Sequence, residues 1–325
     1  MKEKVLAFLK EKDGYCSGEE ISHKIGVTRA AVWKAIKKLQ ADGYEIESST
    51  KKGYKLFLAP NIVTSIEVKE HLRTECLGQI IHYEKEIDST NNKAKELARE
   101  GAEEGLLVVA DKQTSGKGRL GRNWESPAGT GIWMSLILRP KILPQYASQI
   151  TLIAGLCMCE TLKAMTGLEA SIKWPNDVVI NGKKICGILT EMSAEMEGIN
   201  YIILGIGVNV NMTVFPQELP YASSLALEGG MEYSRKAIID DFLERFEKDY
   251  NSYKQTPNLA GIKERYEQNC ITLHKKVKLI KNAEEIIAEA IGITMDGALK
   301  VQYEDDIIED IVSGEVSVRG LYGYV

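Results

Sequence analysis

Between residues 114 and 124 the sequence reads Thr114-Ser115-Gly116-Lys117-Gly118-Arg119-Leu120-Gly121-Arg122-Asn123-Trp124. Three glycines and three cations fall within seven residues, directly after Leu106-Leu107-Val108-Val109-Ala110, an apolar run that predicts a strand. Glycine lets backbone N–H groups approach oxygens closely, while Lys and Arg neutralise a polyanion, so a flexible cationic loop for phosphate or carboxylate is predicted. The spacing is neither that of a Walker A loop nor that of a dinucleotide fingerprint. A merely solvated basic loop is the alternative.

Two further segments carry polar groups at informative positions. Asp88-Ser89-Thr90-Asn91-Asn92 follows a strand pattern from Ile80 to Ile87 and precedes a helical one through Lys95, Leu97 and Ala98 to Gly101. Small polar residues at a helix start are caps by default, and they also suit a compact polar ligand. The run Ile172-Lys173-Trp174-Pro175-Asn176-Asp177-Val178-Val179-Ile180 leads into Asn181-Gly182, a strong hairpin signal, with Lys183 to Leu189 returning. Strand alternation sends only one of Lys183 and Lys184 inward. A third strand, Tyr201 to Asn211, contains Gly205, Gly207, Asn209 and Asn211. Its glycines predict close approach by a ligand or another chain. No Ser/His/Asp or Cys/His constellation offers a nucleophile, and His23, His71, His82 and His274 are too scattered for zinc, so no protein metal site is expected.

The elements that must hold these groups belong to a chain of 325 residues, too long for one comfortable core, so two or three domains are expected. Six cysteines without framework spacing predict reduced thiols, and with no signal-peptide pattern this points to the cytoplasm. The longest apolar stretch, Ile150 to Leu162, is too short to span a bilayer and reads as a buried helix. Residues 1–60 carry twelve Lys/Arg against eight Asp/Glu, a net of +4, which leaves −9 for the remainder. A small basic module on an acidic body is the pattern of a nucleic-acid reader attached to something else.

That module has its own order. A first helix carries Val5, Leu6 and Leu9 as an apolar stripe. A second starts at Ser17 and ends at Gly26, and Thr28 caps a third whose core face is Val32, Ile36 and Leu39. The opposite face presents Arg29, Ala30, Trp33, Lys34 and Lys37, basic with one aromatic and no carboxylate. Two short strands follow, with Lys51 and Lys52 at the hairpin tip. This is a winged helix-turn-helix over residues 1–62, with Ser17, Thr28, the five residues of the basic face and the two tip lysines as DNA-contacting candidates. A helical cap with solvated lysines is the bland reading.

The runs SGKGRLGRNW, KWPND…NGKKICGILTE and GIGVNVN resemble those of the biotin protein ligase family. With the N-terminal module, the chain is similar to the bifunctional ligase/repressor group over almost its whole length. The resemblance implies an α+β multidomain fold: a winged helix-turn-helix at 1–62, a mixed α/β ligase domain at 63–270 and a small SH3-like β-barrel at 271–325. It also implies ATP and biotin as substrates with Mg²⁺, and a carboxylase carrier domain, operator DNA and a second copy of the chain as partners. Residue by residue, Ser89, Thr90, Asn91, Gln113, Lys117, Gly118, Arg119 and Lys184 match the biotin side. Gly116, Arg119, Arg122, Trp124, Asn176, Lys184 and Asn209 match the nucleotide side. Lys117 stands where the family has arginine, which keeps charge but not bidentate geometry.

Biotin's carboxylate would attack the α-phosphorus of ATP, and two anions repel each other. Lys184, with Arg119 and Arg122, is placed by the resemblance to lower that repulsion and carry the chemistry. Two other readings remain: a ligand-binding repressor that lacks catalysis, and a ligase for lipoate. From about Thr272 short alternating strands with an Asp296-Gly297 turn predict a small β domain to which the sequence assigns no chemistry. Ser234 caps a long helix whose aromatic face, Phe242, Phe246, Tyr250 and Tyr253, reads as core.

Overall fold

The computed structural model describes residues 1–58, 61–195, 198–281, 284–313, 317–320 and 324–325. These form two compact units, Met1–Ile62 and Val63–Val325.

In the first unit α1 (Lys2–Glu11), α2 (Gly18–Ile25) and α3 (Arg29–Ala41) precede the antiparallel hairpin of β1 (Glu45–Ser49) and β2 (Gly53–Leu58). Ser17 Oγ accepts from Glu20 N–H and Thr28 Oγ1 from Ala31 N–H, so both caps form as read. Gly26 takes the left-handed conformation that stops α2. Val5, Leu6, Leu9, Ile21, Val32, Ile36 and Leu39 are buried together, the stripe the helical period requires.

The second unit begins with α4 (Ser65–Lys69), β3 (Ile81–Ile87), α5 (Thr90–Arg99), β4 (Leu107–Gln113), β5 (Gly131–Leu138) and α6 (Ala147–Thr166). It continues with β6 (Ala170–Lys173), β7 (Asp177–Ile180), β8 (Lys183–Glu195), β9 (Gly198–Asn209), α7 (Leu225–Gly229), α8 (Arg235–Gln255) and α9 (Lys263–Asn269). Seven strands pair in the order β3-β4-β5-β9-β8-β7-β6, parallel only between β3 and β4. The turn at Trp174-Pro175, a cis peptide, separates β6 from β7, and Asn181 and Gly182 both adopt positive φ in the hairpin turn. Even-numbered residues of β5 from Ile132 to Leu138 join α6 and α8 in the main core, while Ile137 packs with Ala94 and Ala98 of α5 on the other face. The aromatic face of α8 is buried as read. α6 is buried on most of its circumference, and among the described residues no helix is long and apolar enough to cross a membrane.

The remaining strands, β10 (Lys275–Lys281), β11 (Glu284–Ile293), β12 (Leu299–Gln302), β13 (Ile308–Ile311) and β14 (Ser317–Gly320), form an antiparallel sheet in the order β13-β12-β11-β10-β14. Gly297 at φ +88 makes the turn before β12. Among the described residues the ladders give this sheet without a pairing that closes it into the SH3-like barrel the resemblance implies. Gly314 to Val316 of the terminal motif lie outside the described residues.

Candidate functional site

The α5 face of the large sheet carries the site, and strand register explains its shape. One row across the sheet pairs Ala110, Trp133, Gly207, Gly187, Asp177 and Lys173 on six successive strands. Two adjacent glycines in that row make a trough flanked by large or charged side chains. A neighbouring row pairs Val108, Ser135, Gly205 and Leu189.

The glycines admit side chains of the same chain, a correction to the expected approach by ligand or partner. A Cβ built on Gly207 would lie 2.5 Å from Trp124 Nε1, and one on Gly187 2.7 Å from the same ring. On Gly205 it would lie 2.1 Å from Asn91 Oδ1. Trp124 therefore lies in the glycine trough and Asn91 over the next row.

Position alone survives of the capping reading at the start of α5. Ser89 is the N-cap residue but makes no side-chain cap bond. Thr90 N–H and Oγ1–H donate to Gln113 Oε1 at 2.8 and 3.0 Å. Gln113 Nε2 donates to Ser126 Oγ at 2.9 Å. Ser135 Oγ lies 2.8 Å from Thr90 Oγ1 and donates to Asn91 Oδ1 at 2.6 Å. Asn91 Nδ2 donates to Glu191 Oε2 at 2.8 Å, and Lys95 Nζ sits 2.5 Å from the other carboxylate oxygen. Burial pushes the Glu191 carboxyl up, but the bonds from Lys95 and Asn91 outweigh it and hold the group below its ordinary value. Ser89, Thr90, Asn91 and Ser135 are all buried, so this polar network is fixed within the protein.

The cationic loop folds over the same face. Gly118 N–H donates to Arg122 O at 2.7 Å and Trp124 N–H to Gly116 O at 2.9 Å, closing the loop on itself. Lys117 Nζ, exposed, reaches Asn92 Oδ1 at 2.7 Å. Arg119 Nη1 donates to Asn176 Oδ1 at 2.7 Å, and Asn176 Nδ2 donates to Ile188 O. Burial is the main influence that makes the Arg119 guanidinium hold its proton less tightly than usual. Arg122 is exposed beside it.

Lys184 turns inward, its Nζ 2.7 Å from Asp177 Oδ1 and 5.1 Å from the Trp124 ring centroid. Lys183 turns to solvent and pairs with Glu228 at 3.0 Å, as alternation requires. Backbone bonds from Lys184 N–H to Tyr221 O and from Ser223 N–H to Lys184 O hold the Lys184 main chain. Asn209 Nδ2 donates to Ser223 O at 3.0 Å, supporting that same segment.

The structure thus brings Ser89, Thr90, Asn91, Gln113, Gly116, Lys117, Gly118, Arg119, Trp124, Asn176 and Lys184 around one face, with Arg122 exposed beside Arg119 and Asn209 bracing the Lys184 segment through Ser223. Ser126, Ser135, Asp177 and Glu191 were missed in the sequence reading. Ser135 had a signal, as the one polar side chain in the otherwise apolar strand Gly131–Leu138. Among the described residues no three His, Cys, Asp or Glu side chains cluster to hold a metal.

In the first unit Arg29, Ala30, Trp33, Lys34 and Lys37 are exposed on one face of α3, whose first turn holds no carboxylate. Lys51 and Lys52 are exposed at the hairpin tip. Ser17 and Thr28 are exposed but engaged as caps.

The model of the biotin/lipoate A/B protein ligase family matches residues 83–209, an HTH domain matches residues 2–55, and a biotin protein ligase C terminal domain matches residues 272–319. The chain is 40% identical over 320 residues to the bifunctional ligase/repressor BirA of Bacillus spizizenii, covering 98% of each chain. It is 29% identical over 317 residues to the Escherichia coli protein of that name, covering 97% and 96%. Among solved structures, the biotin protein ligase from Aquifex aeolicus in complex with biotin and ATP is similar with a TM-score of 0.65 and 32% identity, over 74% of this chain and 99% of that one.

Proposed function

The chain belongs to the biotin protein ligase family, and from that premise we propose that it forms biotinyl-5′-AMP, passes biotin to a carrier-domain lysine, and represses biotin genes when adenylate is bound. The observation that carries the ligase half is Lys184. It is an inward cation between Asp177 and Trp124, roofed by the Gly116–Trp124 loop and next to the Thr90–Gln113–Ser135–Asn91 network.

In the first step a biotin carboxylate oxygen bonds to the α-phosphorus of ATP and pyrophosphate departs. Lys184 leaves Asp177 to bridge the two anions, and Arg119 draws the loop across them. Ser89, Thr90, Asn91 and Gln113 supply the short donors and acceptors that suit a ureido ring. Mg²⁺ enters as the counter-ion of ATP, whose own phosphates supply its ligands. In the second step the carrier amine attacks the acyl carbon, AMP leaves with the bonding pair, and the amine sheds a proton. The ordered loop keeps water from the anhydride between the steps.

The reader half rests on the exposed basic face of α3 and the lysine-tipped hairpin, which fit a major groove and its flanking phosphates. One such module buries little surface, so a homodimer on a two-fold operator is expected. All six cysteines are free and five are buried, which supports a reducing, cytoplasmic setting. The terminal strands from residue 271 are read as a domain of their own, next to a ligase domain at 63–270.

Incubation with labelled biotin, ATP, Mg²⁺ and a carrier domain tests the reading. Pyrophosphate release and one labelled lysine are expected, with lipoate inert. Transfer of lipoate as efficiently as biotin would overturn the substrate, and binding without any product would leave a ligand-binding repressor.

A further inference from the structure

Asp177 holds Lys184 through one carboxylate oxygen, and its other oxygen is also occupied. Tyr324 OH donates to Asp177 Oδ2. That tyrosine lies beyond the last strand and past Arg319, where the match to the C-terminal domain model ends. Its ring stacks on Tyr221 with centroids 5.7 Å apart and planes at 24°. The buried Lys173 Nζ sits 3.9 Å from the ring centroid and donates to Val318 O. Tyr221 is the residue whose carbonyl accepts from Lys184 N–H. One aromatic ring thus touches the carboxylate that holds Lys184, the residue that pairs with its backbone, and the neighbouring buried cation.

We propose that Tyr324 is a positioning residue for adenylate formation, which frees Lys184 for the substrates by keeping Asp177 hydrogen-bonded when Lys184 departs. The inference rests on the ligase reading above. A buried ion pair broken by removing one partner leaves an uncompensated charge, and that is the main obstacle to moving Lys184 onto the reacting anions. Asp177 is buried, so solvent cannot take over. A hydroxyl already bonded to its second oxygen can, and Lys173 alongside adds a positive field. Without the hydroxyl, Asp177 has one strong partner and retains it.

The test compares Tyr324→Phe with the full-length protein by single-turnover pyrophosphate release from biotin and MgATP. Loss of a hydrogen bond to a charged group corresponds to about a tenfold slower burst. The biotin KM should stay within about twofold, because no biotin contact is touched. Transfer from preformed biotinyl-AMP should be less affected than its formation. In an Asp177→Asn background the same substitution should cause no further slowing, which a merely structural tyrosine would not reproduce. An unchanged burst, or an equal loss in both backgrounds, overturns the proposal.

Amine-acylation footprinting read by mass spectrometry tests it without turnover. Lys184 should react more slowly in Tyr324→Phe than in the parent, since Asp177 then holds it harder. Equal or faster labelling overturns the inference. Pyrophosphate release by the parent reports separately on the ligase reading, so the two failures are distinguishable.

Discussion

Replacing Gly207 by alanine tests whether the glycine trough exists to seat Trp124. The added Cβ would stand 2.5 Å from Nε1 and 2.6 Å from Cε2 of that ring, against a comfortable carbon separation of about 3.5–4.0 Å. The ring must therefore rise by about 1 Å, because the opposing atom is strand backbone paired on both sides. Overpacking of this kind costs about 1–3 kcal/mol. Loss of the Lys184 contact on the lifted ring adds about 0.5–1 kcal/mol. Urea unfolding should show a midpoint shift equivalent to about 1.5–4 kcal/mol, and on the proposed reading the variant should release biotinyl-AMP faster, since Trp124 ends the loop proposed to cover it. Gly205→Ala is the internal comparison. Its Cβ displaces Asn91, so biotin affinity should fall while Trp124 stays in place. A Gly207→Ala protein with parental stability and parental adenylate retention would refute the argument.

Arg119→Gly should cut the bond to Asn176, loosen the loop and leak adenylate onto nearby lysines, whereas Lys184→Ala should slow adenylate formation by about 2–4 kcal/mol. Stopped-flow synthesis and leakage assays should give opposite defects, and matching profiles would refute the division. Asp240 on α8 is pushed up to about 7 by burial, against the pull of Lys236. The folded state therefore binds the extra proton between about 4 and 7, and stability falls as pH rises through that window. Asp240→Asn should flatten this slope and leave the protein about 1–2 kcal/mol more stable at pH 8, by denaturant melts. DNA affinity for a palindromic biotin-operon site should rise with biotin plus ATP. At fixed salt, equal affinity of adenylate-loaded and empty protein would leave two independent functions.

Much of this molecule was legible because local signals agreed with each other. Ser17, Thr28 and Gly26 mark the ends of helices that the apolar period also marks, and Asn181-Gly182 turns where the alternation reverses. Alternation narrowed the inward lysine to Lys183 or Lys184 and only the family resemblance chose between them, whereas the cationic loop stood out by charge and spacing. Ser135 and Glu191 did not, because their partners are 44 and 100 residues away and only strand register joins them. The glycines of β9 announced a close approach, but sequence could not say what approaches. Trp124 and Asn91 fill that space from elements that the sequence separates by 83 and 114 residues from Gly207 and Gly205. The capping reading of Ser89 to Asn91 failed for the same reason, since a helix start in isolation shows no Gln113 or buried Ser135 to bind instead.

The Lys184 main chain is clamped on two sides, by Val179 of β7 and by the Tyr221–Ser223 segment. Its amine can exchange partners only by turning about the bonds of its own side chain, like a crank on a fixed axle. An exposed side chain changes rotamer in picoseconds to nanoseconds and the ion pair with Asp177 slows this one, yet enzyme turnover typically occupies a millisecond or more. The cation therefore samples its alternative position repeatedly before each chemical event. The exchange enters the rate as a population and not as a waiting time, so thickening the solvent should leave the first step unchanged.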